Sequence, residues 1–138
     1  MGRELFFSIS ELCNSDIAIA KHINNAPKTM EQINNMVNLI FYVLQPLREK
    51  LGKPVHVESG FRCKELNNLV GGKPNSQHLI GEAADIWVNS CTPQTLYNYI
   101  EGCGIEYDQL ILEKTKTGSW VHISYRHKHN RKQAFSLS

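Results

Sequence analysis

Apolar and polar positions follow two different periods along this chain, and the change from one to the other divides it in half. Between residues 30 and 47, apolar side chains recur at Met30, Ile33, Met36, Val37, Ile40, Val43, Leu44 and Leu47. That is the three-to-four-residue spacing of one helical face. Thr29, with Gln32 three positions on, matches a capping box at its start, and Leu51-Gly52 closes it. Pro46 lacks an amide hydrogen and predicts a kink or an end to the first half. An earlier helix is predicted within residues 6–23, after Ser8 or Ser10. There Ser8 and Glu11 form a second capping box, and Leu12, Ile17, Ile19 and Ala20 supply the apolar side. Asn24-Asn25-Ala26-Pro27 breaks it.

In the second half the period shortens to two. Val55-His56-Val57-Glu58 alternates as a short strand, and residues 84–88 read as a buried one. Residues 107–113 and 119–125 form two more, joined by the polar Lys114-Thr115-Lys116-Thr117-Gly118 as a hairpin loop. A short helix over residues 63–70 is stopped by Gly71-Gly72, and Thr92-Pro93 opens another that runs to Glu101. These elements predict an α+β fold in which helices pack against one antiparallel sheet.

The 138 residues fit a single domain, with a core over about residues 5–125 and a basic tail over 126–138. A net charge of +2 is too small to argue for nucleic acid, so no nucleic-acid partner is expected. The basic residues gather in Arg126-His127-Lys128-His129-Asn130-Arg131-Lys132. This run reads as a solvated tail, with attraction to an anionic polymer such as a cell wall as the alternative. Cys13, Cys63, Cys91 and Cys103 show no paired spacing, which favours free thiols in a reducing compartment. The longest apolar run, residues 39–44, is far too short to span a bilayer, and no secretory signal is visible. The expectation is a monomer made in the cytoplasm and not inserted in a membrane. It would act on a cell wall only after release.

One stretch, residues 59–85, concentrates the chemistry. It holds Arg62 on a turn, then Ser76-Gln77-His78 and, beyond Gly81, Ala83-Ala84-Asp85 leading into Ile86-Trp87-Val88. His78 and Asp85 can converge if the chain folds back at Gly81. His122, inside the apolar strand Trp120-Val121-His122-Ile123, is the natural third partner. Two histidines and an aspartate with a fourth position open is how a catalytic zinc is held. A strand histidine packed in a core is the competing reading.

Several motifs carry a resemblance. Ser59-Gly60-Phe61-Arg62, Leu66-Asn67, Gly71-Gly72, Ser76-Gln77-His78, Gly81-Glu82-Ala83-Ala84-Asp85-Ile86 and Trp120-Val121-His122-Ile123-Ser124 resemble the zinc D-alanyl-D-alanine carboxypeptidase family. That family shares its zinc-site framework with the hedgehog signalling domain. The small single-domain branch of bacterial and phage peptidases is the most similar, and the likeness spans roughly residues 5–125. It implies a hedgehog/D-Ala-D-Ala peptidase-like fold, with one Zn2+ per chain held by His78, Asp85 and His122. It also implies that Arg62 binds a substrate carboxylate or polarises the scissile carbonyl. Ser76 and Gln77 are candidate substrate contacts.

The general base departs from the family pattern. Well-known members carry an acidic residue three positions before the last histidine, where this chain has Ser119. In the small branch the carboxylate stands on the preceding strand, which selects Glu113, with Asp108 in reserve. The resemblance implies a peptidase for peptidoglycan stem or cross-link peptides at a D-amino-acid bond, of carboxypeptidase or endopeptidase type. A phage or prophage lysis enzyme fits that description. The alternative is a non-catalytic, zinc-stabilised cell-wall-binding or phage structural module.

Overall fold

The computed structural model describes residues 4–138. Two short helices, α1 (Ile9–Cys13) and α2 (Asp16–Ala20), open the chain where the sequence predicts one. Asn14 is extended, and Ser15 starts the second helix by accepting a hydrogen bond from the Ala18 amide. Tertiary partners claim the carbonyls that a continuous helix would use. Leu12 O accepts from the Phe61 amide and Cys13 O from the Asn25 side chain. The long helix begins as expected at the Thr29–Gln32 capping box with α3 (Met30–Leu39). It is not interrupted before Pro46. A π-helical turn (Ile40–Leu44) leads directly into α4 (Gln45–Leu51), with Pro46 in its first turn. The wider turn accommodates the missing proline donor without breaking the axis. Gly52, at φ 67°, ends the helix.

Five strands form one sheet: β1 (Val55–Ser59), β2 (Ala83–Val88), β3 (Gln109–Thr115), β4 (Gly118–Ser124) and β5 (Gln133–Leu137). Their spatial order is β1-β2-β4-β3-β5. The first four are antiparallel neighbours, whereas β5 runs parallel to β3. Residues 133–137, read from the sequence as part of a solvated tail, are thus built into the sheet. The run Gln133-Ala134-Phe135-Ser136-Leu137 is short and mostly exposed, so its pattern carries little strand signal. The β3–β4 turn is tighter than the sequence suggests, with the strands continuing to Thr115 and Gly118. Helices α5 (Lys64–Leu69) and α6 (Pro93–Gly102) stand where predicted.

Alternation sorts the sheet into two faces. Ala84, Ile86, Leu110, Leu112, Val121 and Ile123 are all buried, and they pack in the core with Leu12, Met36, Leu39, Leu47, Leu96 and Ile100 from the helices. The opposite face carries Asp85, Trp120, His122, Ile111 and Glu113, and residues 59–80 fold over it. No helix of the described residues is long and apolar enough to cross a membrane. All four cysteines are free.

The segment covering that second face is clamped to α3. Gln32 Nε2 donates to Leu79 O and Asn35 Nδ2 to Ile80 O. Gly81 follows at φ +81°, and a Cβ there would meet Gln32 O at 2.6 Å. Gly81→Ala combines a left-handed backbone with that collision. We expect a loss of about 2 kcal/mol or more in urea unfolding. An unchanged midpoint would show that the turn is not under this constraint.

Candidate active site

Three segments deliver three side chains to one point. Asp85 and His122 face each other across the β2–β4 pair, in direct register. His78 comes from a 3-10 turn (Gln77–Ile80) that Ser76 caps by accepting from the His78 amide. An irregularity in β1 between Val57 and Ser59 sets Ser59 opposite Asp85. The chain then turns through Gly60, where a Cβ would strike the Leu12 carbonyl. Only glycine permits that approach, and it places Gly60 O 2.6 Å from His78 Nδ1.

A carbonyl only accepts, so this bond puts the proton on His78 Nδ1 and leaves a lone pair on Nε2. Nε2 is buried, has no hydrogen-bond partner among the described residues, and lies 3.4 Å from Asp85 Oδ1. His122 Nδ1 lies 3.0 Å from the same oxygen. One donor atom from each of His78, Asp85 and His122 falls within 4.8 Å of the others. An orphaned imidazole nitrogen, a second imidazole and a carboxylate form a donor set that suits a divalent metal of borderline softness. Burial opposes ionisation of Asp85, but the imidazoles of His122 and His78 outweigh it and hold the carboxyl well below its usual range.

Arg62 is fixed beside this cluster. Its Nε donates to Ser59 Oγ (3.0 Å) and its Nη1 to Asn67 Oδ1 (3.1 Å), while Nη2 is 3.5 Å from Asp85 Oδ2. Its amide also donates to His78 O, tying the arginine turn to the histidine turn. On the other side, Glu113 pairs with Trp120 across β3–β4. Trp120 Nε1 donates to Glu113 Oε2 (3.1 Å), and that oxygen is 3.9 Å from His122 Nδ1. Ser119 is exposed, one residue further toward the hairpin.

The structure brings His78, Asp85, His122, Arg62 and Glu113 into one cleft of about 530 Å³, which Ser76 and Gln77 also line. The side chains of the last two are occupied by the frame. Ser76 caps the turn, and Gln77 Nε2 donates to Glu82 Oε1 and Asp108 Oδ2. Asp108 stands apart from the cluster. Its fully buried carboxylate accepts from the Arg131 amide, Nε and Nη2 at 2.8, 3.0 and 2.7 Å. Trp120 was visible in the sequence only as part of a motif. Arg131 and Leu137, which also line the cleft, carried no signal beyond tail composition.

Burial alone would raise the Asp108 pKa, but the Arg131 and Gln77 hydrogen bonds outweigh it and lower the value. A depressed carboxylate stabilises the fold fully above its unfolded pKa of about 3.9, and the contribution disappears as pH falls through the lower folded value. We therefore expect β5 to lose amide protection below about pH 4 before the rest of the sheet does. Asp108→Asn should show the same loss at neutral pH. Equal exchange rates for β5 in wild type and variant at pH 7 would contradict this role.

A sequence model of the peptidase M15 family matches residues 6–124, most of the chain. The chain belongs to the peptidase M15 family. Over 87 residues, 61% of its length, it is also 37% identical to the zinc D-Ala-D-Ala carboxypeptidase of Streptomyces albus G. The matched part is 32% of that relative, so this M15 chain spans about a third of the protein it resembles. The family match covers every residue of the cluster together with Arg62 and Glu113. It stops at the end of β4, before Arg131 and β5.

Proposed function

We propose that this chain is a zinc-dependent peptidase that hydrolyses peptidoglycan stem or cross-link peptides at a D-amino-acid bond. The observation that carries the reading is the convergence of His78, Asp85 and His122, with His78 Nε2 buried and unpartnered and a carboxylate, Glu113, at the edge of the cluster. His78, Asp85 and His122 would hold the ion. Zinc, when bound, supplies a Lewis acid that polarises a carbonyl and makes water more acidic.

The protein's own groups do the rest. Glu113, steadied by the Trp120 indole, takes a proton from water on the cleft side and returns it to the leaving amine. Arg62 presents a fixed guanidinium to a substrate carboxylate or to the oxygen where negative charge develops. The Gly60 carbonyl keeps His78 in a single tautomer and orientation. The name of the Streptomyces relative supports the choice of metal and substrate class. Release of cell wall during lysis extends the same reading to a biological setting.

The test joins two measurements on one preparation. Elemental analysis should find about one zinc per chain, as a single three-donor site requires. Chromatography should show a stem pentapeptide losing D-alanine, or a cross-linked dimer being split. Zinc present without cleavage of either substrate would support the non-catalytic alternative, to which the Ser119 departure from the better-known pattern also points.

A further inference from the structure

The cleft does not end at the metal-binding cluster. On the sheet it continues across β3 to β5, and its far side is built by residues outside the family match. Parallel pairing aligns Glu113 with Leu137 and Ile111 with Phe135. In a sheet, partners in register share a face, so β5 extends the site-bearing surface by one strand. Arg131 enters just before that strand. Its amide, Nε and Nη2 all donate to the buried Asp108 carboxylate, which fixes the plane of the guanidinium. Nη1 has no hydrogen-bond partner among the described residues, and the side chain, 42% exposed, lines the cleft.

Because Asp108 neutralises Arg131, the arginine contributes oriented donors more than net charge. Lys73 supplies the charge. It lines the same cleft, and its ammonium has no ion pair among the described residues. Its backbone is held, with Lys73 O accepting from Asn67 Nδ2 and from the Ser76 amide. An oriented guanidinium edge and a free ammonium lining one cleft are suited to a carboxylate. Asp108, which holds the guanidinium, lies one strand spacing across and three residues along from His122, whose β3 partner is Ile111, or about 11 Å away. An extended peptide covers that distance in about three residues.

We propose that residues 131–137 form a specificity wall, and that Arg131 with Lys73 selects peptides carrying a carboxylate about three residues from the scissile bond. This rests on the peptidase reading above and narrows it to a class: acidic peptides rather than amidated ones. Arg131 and Lys73 are binding groups in this account, and their effect falls on affinity.

The experiment compares two synthetic peptides, L-alanyl-γ-D-glutamyl-L-lysyl-D-alanyl-D-alanine and its D-isoglutaminyl counterpart, which differ by one carboxylate. Calorimetry on the zinc-loaded Glu113→Gln protein measures binding without turnover. The acidic peptide should bind about tenfold more tightly, a gap worth about 1.4 kcal/mol, and added salt should narrow it. Lys73→Ala, at an exposed side chain free of structural bonds, should shrink the gap several-fold. Arg131→Gln should abolish it, and β5 amide exchange in that variant reports whether the strand stays docked. Equal affinities, or no binding of either peptide, would overturn the proposal. Preferential binding of the acidic peptide without cleavage by the wild type would sustain the recognition wall and remove the peptidase reading.

Discussion

Glu113→Gln should lower the rate of peptide hydrolysis by about a thousandfold while zinc content stays at about one per chain. The substitution is nearly isosteric, and a glutamine oxygen can still accept the Trp120 indole hydrogen bond that fixes the carboxylate now. What disappears is the ability to take a proton. Glu113 Oε2 is 3.9 Å from His122 Nδ1, close enough to serve the open side of the cluster. Asp108 cannot replace it, being fully buried and committed to Arg131 and Gln77. A variant that keeps the wild-type rate would remove Glu113 from the chemistry. One that loses zinc as well would make it part of the metal's support rather than the base.

The second large effect is expected from His78→Ala. Two donors, Asp85 and His122, would remain where three now converge, so the variant should purify without zinc and without activity. A readout independent of turnover is thermal stability. Zinc at a thousand times its dissociation constant stabilises a protein that binds it only when folded by about 4 kcal/mol. The wild type should show a large zinc-dependent rise in Tm and the variant none. Loss of the bond from His78 Nδ1 to Gly60 O will lower the metal-free Tm somewhat, since a buried acceptor is left unpaired. The zinc response itself therefore decides the matter. A variant that still gains stability from equimolar zinc would show that His78 is not a ligand.

The site was more legible than the frame around it. Glycines at 60, 71, 72 and 81 and the runs Ser76-Gln77-His78 and Ala83-Ala84-Asp85 are local signals, and the structure converts each into position. Gly60 admits Leu12, and Gly81 turns under α3. Strand patterns put Asp85 and His122 in two strands, and the family resemblance joined them with His78 as one ligand set. The resemblance selected Glu113 on the strand before His122, and the β3–β4 turn between them proved tighter than the polar run suggested.

What stayed hidden depends on contacts distant in sequence. The break at Asn14 follows from Phe61 and Asn25 competing for helix carbonyls, which no local pattern announces. The π-helical turn before Pro46 resolves a conflict that composition could only pose. The fifth strand is specified by Asp108, whose carboxylate and carbonyl receive Arg131 and Gln133 from more than twenty residues away.

That fifth strand should also keep the protein from associating with itself. Without it, β3 would become the border of the sheet, presenting the apolar run Leu110-Ile111-Leu112 with a row of unpaired amides and carbonyls. Such a border is a template for joining another molecule. A chain shortened after Ser124 would keep His78, Asp85, His122, Arg62 and Glu113, yet should self-associate at concentrations where the full chain does not. Light scattering on the two would show it, and equal scattering would mean that solvent alone keeps β3 apart. The same fourteen residues would then serve both selectivity toward peptides and solubility of the protein.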